Sequence, residues 1–275
     1  MSASVNTNVG ALVALQNLNA TTSQLAQVQS VISTGLKVQS AKDDGAVWAI
    51  AQNQRATSSS LNAVKDSLNR ASSVTDVALA AGSQISDLLT QMQQKALAAS
   101  DTSLDTASRG ALNTDFISLR NQISQVVNNA SFNGINLISN GATNVAALAN
   151  SSGSSVLTVV AQDLSVGGAN VTVTNTATIG TVTQAAAQIT AVQTSINNVS
   201  AALAKLGTAS KSISSTQTFV GKLQDTIDAG VGNLVDADLA KESAHLQALQ
   251  TKQQLGIQAL SIANSASSSL LGLFR

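Results

Sequence analysis

Apolar side chains recur every three or four residues along most of this chain, and the longest break in that rhythm falls past its middle. Leu61, Val64, Leu68, Ala71, Thr75, Ala78, Gly82, Ile85, Leu89, Met92 and Ala96 alternate by three and four. Held over several heptads, that alternation marks a helix with a coiled-coil seam. The helix is expected over residues 44–100, a length that spans roughly 80 Å. After a loop at residues 101–105, Leu112, Phe116, Leu119, Ile123 and Val126 carry the rhythm into a shorter helix. It returns in Ile189, Val192, Ile196, Val199, Leu203, Leu206, Ile213, Val220 and Ile227. Gly230 and Gly232 then stop or bend the helix and read as a hinge.

Between these blocks the character changes. Asn133-Gly134 and Asn140-Gly141 are turn dipeptides. Residues 156–160 and 171–174 are rich in Val and Thr, with Gly167-Gly168 between them, and read as the two strands of a short β-hairpin. The expected fold is mainly α: a long antiparallel coiled-coil bundle with one small β-hairpin insert, folded back so that the N- and C-termini pair.

The two ends share an unusual pattern. Leu12, Leu15, Leu18, Leu25, Val28 and Ile32 form an apolar stripe, yet no residue from Ser2 to Leu36 carries a charged side chain. Leu249, Leu255, Leu260, Leu270, Leu271 and Leu273 form the matching stripe, where Lys252 and Arg275 are the only charges after Leu246. Exposed helix faces normally carry Lys and Glu. A pair of such helices leaves too much apolar surface bare, so both stripes are read as a polymerisation interface. The chain is therefore expected to be a self-assembling structural protein.

Composition narrows the choice further. Pro, Cys and Tyr are absent, and charged residues make up 10% against roughly 25% in an average soluble domain. Without Pro or large aromatics, long helices that bury many small residues are favoured over a globule. Balanced charge, 14 basic against 14 acidic, gives no basic surface for nucleic acid or an anionic membrane. No apolar run reaches the ~18–20 residues of a membrane span, and the N-terminus lacks the basic head and apolar core of a general secretory signal.

Candidate chemistry is sparse. His245, with Ser243 and Glu242 beside it, lacks a separate acid to orient the imidazole, and neighbours two apart on a helix do not face each other. Asp43-Asp44 and Asp236 with Asp238 lack calcium-loop spacing and read as helix-start charges or polar contacts. Gly230-x-Gly232 follows a helix rather than a strand, against a dinucleotide site. No enzyme activity, cofactor or metal is expected.

The chain resembles the bacterial flagellins over nearly its whole length. The resemblance rests on Asn6-Thr7-Asn8, Ala11-Leu12 and Asn17-Leu18, then residues 33–44 (Ser-Thr-Gly-Leu-Lys-Val-Gln-Ser-Ala-Lys-Asp-Asp), and Phe132-Asn133-Gly134 with Leu137-Ile138. At the far end it rests on residues 236–242 (Asp-Ala-Asp-Leu-Ala-Lys-Glu) and the closing Leu270-Leu271-Gly272-Leu273-Phe274-Arg275. It implies a filament-core helical domain from residues 1–44 and 236–275, and a rod-like helical domain over residues 45–235 with its β insert at 141–182. It implies a homopolymer with itself and with sister flagellins, forming the extracellular flagellar filament of a swimming bacterium. Further implied partners are an export chaperone, the filament cap and the hook-junction proteins, with export through the flagellar type III apparatus. A hook–filament junction protein shares the terminal pattern. A secreted coiled-coil adhesin would need a larger receptor-binding region than residues 141–182.

The large variable outer domains of many flagellins are missing here, and Trp48 with this short centre resembles flagellins of the alphaproteobacteria. Where many flagellins carry an Arg–Ile–Arg–Glu–Leu stretch read by an animal innate-immune receptor, this chain has Gln91-Met92-Gln93-Gln94-Lys95. Weak activation of that receptor is expected in a reporter-cell assay, and potent activation would contradict this reading.

Overall fold

The computed structural model describes residues 7–272, with side chains to residue 265. Its elements are α1 (Val9–Thr34), α2 (Gly45–Ala99), α3 (Thr106–Asn129), β1 (Val145–Leu148), β2 (Val156–Val159), α4 (Val182–Val235) and α5 (Leu239–Gly272). The chain is mainly helical, with one two-stranded antiparallel sheet among the described residues and its first and last helices paired. Two compact units form, one from residues up to 56 together with those from 226 onward, the other from residues 57–225.

In the second unit every residue of the expected α2 seam, from Leu61 to Ala96, is buried. The seam closes against α4, which runs antiparallel to α2. The register is set by side-chain pairs: Lys65 Nζ donates to Gln224 Oε1 at 2.5 Å, Gln217 Nε2 to Asn69 Oδ1 at 2.9 Å, and Gln93 Nε2 to Gln193 Oε1 at 2.6 Å. Val192, Val199, Leu206, Ile213 and Val220 are the fully buried large residues of the α4 side. At Gly82 the approach is so close that an added Cβ would lie 2.6 Å from Leu203 Cδ2. The small residues of the seam thus set how near the helices come.

The ends of these helices are written in polar side chains. Asp105 caps α3 through Ser108 N–H at 2.6 Å. Thr181 and Gln184 cap α4 reciprocally, the Gln184 amide donating to Thr181 Oγ1 and the Thr181 amide to Gln184 Oε1. Arg109 is 7% exposed and spans the loop between α2 and α3, donating to the carbonyls of Ala99, Asp101 and Leu104. Beside it, α3 buries Phe116, Leu119, Ile123 and Val127. Val127 takes the place expected for Val126 because the last step of the seam is four residues rather than three.

The β insert departs from expectation in one strand. β2 lies where residues 156–160 predict it, but its partner is β1, with Val145 opposite Val159 and Leu148 opposite Val156. Residues 171–174 pack on α4 instead. Val171 and Val173 point into the core, while Thr172 N–H donates to Ser195 Oγ at 2.9 Å and Thr172 Oγ1 to the Ala191 carbonyl at 2.9 Å. Helix α4 thus takes the Thr172 amide that a partner strand would have used, while Gly167 N–H donates to the Val171 and Val173 carbonyls at 3.0 and 2.7 Å. The sequence Val-Ala-Ala-Leu of β1 has little β propensity. It is held by burial of Ala147 and by Leu148 N–H donating to Ser67 Oγ of α2.

Two substitutions separate seam packing from helix propensity. Gly82→Val should destabilise the second unit by about 2 kcal/mol through overpacking against Leu203. Gly110→Ala on α3, where a Cβ meets nothing within 4 Å, should stabilise it by up to ~1 kcal/mol. Chemical denaturation followed by circular dichroism distinguishes them, and equal effects would refute the close-approach argument.

The Asp105 cap supplies a pH test. Hydrogen bonds from Ser108, its backbone amide foremost, hold the Asp105 carboxyl below its ordinary value. A folded value below the unfolded one means the cap stabilises above the unfolded carboxylate pKa of about 3.9 and fails as pH falls through the folded value. Asp105→Ala should melt below the parent at neutral pH and converge with it in strong acid. A gap that persists there would assign the loss to something other than the charged cap.

Candidate functional site

The paired chain ends carry the surface singled out by the sequence. Helix α1 starts at Asn8, whose Oδ1 accepts from Ala11 N–H at 3.0 Å while its Nδ2 donates across to the Ala263 carbonyl at 2.7 Å. α1 ends at Gly35, whose φ of 73° supplies the left-handed turn and whose N–H returns to the Val31 carbonyl. Helices α1 and α5 pack antiparallel between these limits. In α1, Ala11, Ala14, Leu18, Thr21, Leu25, Val28 and Ile32 are half-buried or buried, at alternating spacings of three and four. In α5, Leu246, Leu249, Gln253, Gly256, Leu260 and Ala263 follow the same rule. The helices come close at Gly256, where an added Cβ would sit 3.3 Å from Leu18 Cδ1.

This seam divides the two apolar stripes. Leu18, Leu25, Val28, Ile32, Leu249 and Leu260 turn into the pair itself. Leu12, Leu15 and Leu255 stay exposed, at 57%, 42% and 58%. Val9, Val13, Ile257 and Ile262 are exposed as well. Assigning the heptad register to both terminal helices would have found this second group, since it is the apolar residue set left over once the seam is removed. The side chains of Leu270 and Leu271, and all of Leu273, lie outside the described residues.

Below the pair, the segment joining α1 to α2 meets the end of α4. Lys37 and Val38 both donate their amides to the Val235 carbonyl, at 2.7 and 3.4 Å, and Ala237 N–H donates to the Gly35 carbonyl at 2.9 Å. Val38, Ala51, Val231 and Val235 form a small core here, with Trp48 and Ile227 packed on it. α4 continues through Gly230 and Gly232 to Val235, so it ends beyond the glycines expected to stop it. A Cβ at Gly232 would lie 2.8 Å from Asp236 Oδ2, whereas one at Gly230 meets nothing within 4 Å.

Asp43, Asp44 and Asp238 serve backbone geometry. Asp44 Oδ1 caps α2 through Ala46 and Val47 N–H, both at 3.0 Å, and Asp238 Oδ1 caps α5 through Ala240 and Lys241 N–H. Asp43 Oδ2 gathers the Gln39 and Ser40 amides, and these bonds, Ser40 foremost, hold its carboxyl below the ordinary range. His245 Nδ1 lies 3.7 Å from Glu242 Oε2 of its own helix. No group of three or more His, Asp or Glu that could hold a metal occurs among the described residues, and none of their helices is long and apolar enough to cross a membrane.

The arrangement offers a bare apolar surface on a nearly uncharged helix pair, which suits repeated association. Comparison with known proteins gives it a family. The profile of the bacterial flagellin N-terminal helical region matches residues 5–143, and that of the C-terminal helical region matches residues 189–274. Flagellin FljM of Caulobacter vibrioides is 58% identical over 272 residues, 99% of this chain and 98% of its own length. Flagellin FljJ of the same organism is 45% identical over 100% of this chain and 99% of its own. A flagellin of Brucella melitensis is 39% identical over 99% of both. With matches at both ends and along nearly the full length, the chain belongs to the bacterial flagellin family, as a short flagellin of the alphaproteobacterial type.

Proposed function

We propose that the exposed apolar residues of α1 and α5, Leu12, Leu15 and Leu255 with Val9, Val13, Ile257 and Ile262, join the paired ends of one subunit to those of its neighbours. Flagellins are the self-assembling subunits of the extracellular filament that drives swimming, and this chain acts as one of them rather than as an enzyme. The observation that carries the finer reading is the large apolar side chains left bare on helices almost without charge. Several large apolar side chains left exposed on one helix pair mark association, and contacts that repeat without closing generate a helical tube. Leu270, Leu271 and Leu273 continue the apolar pattern of the C-terminal segment in sequence. The seam residues Leu18, Leu25, Val28, Ile32, Leu249 and Leu260 act beneath it by holding the two helices in register.

On this reading the paired ends, residues 1–44 and 236–275, form the filament core, and residues 45–235 form the surrounding rod. Gly230 and Gly232 provide a hinge between them: at Gly230 the Cβ position is empty, which lets the last turns of α4 adjust at little steric cost. Several Caulobacter relatives are separate flagellins of one organism, which supports co-assembly with sister subunits. An export chaperone, the filament cap and hook-junction proteins complete the set of partners, with passage through the type III apparatus.

Seeded polymerisation tests the reading. Monomer added to short filament fragments should elongate into long tubes, while a chain ending at Val235 should not. Leu255→Ser with Ile262→Ser should slow elongation at least about tenfold, since each loss forfeits more than ~1.4 kcal/mol of apolar burial. Its monomer should keep the parent's circular dichroism. Wild-type elongation by that variant would remove these residues from the interface, and a full chain that stays monomeric beside competent seeds would favour a junction role.

A further inference from the structure

The second unit carries two features that its own packing leaves unused. One is a groove between α2 and α3, lined by Val77, Ala81, Leu88 and Val126 and edged by Gln84 and Gln125. The other is Phe219 on α4, 61% exposed in a chain with very few aromatics. Leu223, one turn further on, is also exposed. A Phe left mostly exposed gains little from its own subunit, and an apolar trough edged by amides has room for a ring.

Within the stretches that carry the two features the charges are of one sign, bounded by Arg70 and Lys95 on α2 and by Asp225 on α4. Residues 71–94 of α2 contain Asp76 and Asp87 and no base. Residues 182–224 of α4 contain Lys205, Lys211 and Lys222 and no acid. All of these side chains are exposed. Asp76 and Asp87 are eleven residues apart, and so are Lys211 and Lys222. Eleven residues make close to three helical turns at about 3.6 per turn, so each pair projects to nearly the same side of its helix. Advancing along either helix, the groove lies to one side of the aspartates, and Phe219 and Leu223 lie to the same-handed side of the lysines. Two helices laid antiparallel, face to face, bring same-handed flanks together.

We propose that α4 of one copy lies antiparallel along α2 of a neighbouring copy, with Lys211 opposite Asp87, Lys222 opposite Asp76, and Phe219 seated in the groove between α2 and α3. The occupant of the groove is a second copy of this chain, and the proposal rests on the filament-subunit reading above. Copies that share one direction meet in this antiparallel sense, because α2 and α4 already run antiparallel within each. Donor and acceptor surfaces lie on different helices, so the contact is heterologous and propagates instead of closing into a dimer. The pairing is out of reach inside one chain. The register fixed by Asn69–Gln217 and Gln93–Gln193 displaces Lys211 from Asp87 by about twelve residues, roughly 18 Å along the helices. No second aromatic is required on this face: burial of the one ring supplies the attraction, and the ion pairs, each weak when exposed, select the register.

Cross-linking tests the contact directly, since the chain has no cysteine. Thr218→Cys with Ala80→Cys leaves Phe219 intact and places the two thiols at one level in the proposed contact, but roughly 18 Å apart along the helices within a copy. Filaments grown from seeds in reductant and treated with a short bis-maleimide should yield a covalent ladder, and either single variant should yield none. Filaments that form normally yet remain monomeric after treatment overturn the contact while leaving the subunit reading intact. A parent chain that fails to elongate overturns the subunit reading instead. Charge exchange gives an independent readout. Asp87→Lys and Lys211→Asp should each slow elongation about threefold to tenfold at low salt and less at high salt. Combined in one chain, they should restore most of the rate. A double variant as slow as the worse single one overturns the proposal.

Discussion

Where α2 meets α4 at Gly82, and where α1 meets α5 at Gly256, there is scarcely room for one more carbon between the helices. That closeness governs much of the rest. A chain with so few aromatics cannot gather a thick core, so it brings backbones together and buries many small groups along lengths of seam. Ala, Gly, Ser and Thr at three- and four-residue spacing permit the approach, and Leu, Ile and Val fill the remaining layers. Polar groups caught in the seam satisfy themselves locally: Thr75, fully buried, donates its hydroxyl to the Ala71 carbonyl of its own helix at 2.7 Å.

Much of this was legible in the sequence because the heptad is a strong, repeated signal. The α2 seam was readable residue by residue from Leu61 to Ala96. The α3 seam slipped by one position at Val127, where a single four-residue step replaces a three. The β insert was half readable. β2 announces itself through Val and Thr, but Val-Ala-Ala-Leu gives no local sign of being a strand, and Val171–Thr174 gives a false one. Both outcomes are set by the helices on which these segments lie, through Ser67 and Ser195, and periodicity carries no information about such contacts.

The terminal stripes were legible as apolar but not as two surfaces. Leu18 and Leu12 look alike in the sequence, and only the register between α1 and α5 decides that the first turns inward and the second stays bare. Aspartates were a similar case. Asp43, Asp44 and Asp238 stand where an acidic site could be imagined, yet each spends its carboxylate on backbone amides at a helix start or a turn. Local geometry absorbs their chemistry before any ligand could use it.

A seam built from near-identical layers has a weakness. Displace one helix by seven residues, roughly 10 Å, and Ala, Leu and Val would meet much the same neighbours as before. Two features between α2 and α4 remove that degeneracy. The Asn69–Gln217 pair repeats one heptad away as Asn62–Gln224, but Gln93 meets Gln193 in one alignment, and Leu203 packs opposite the absent side chain of Gly82. They act as detents against axial slip, so a subunit pulled or twisted along its length resists by keying rather than by the strength of its apolar contacts.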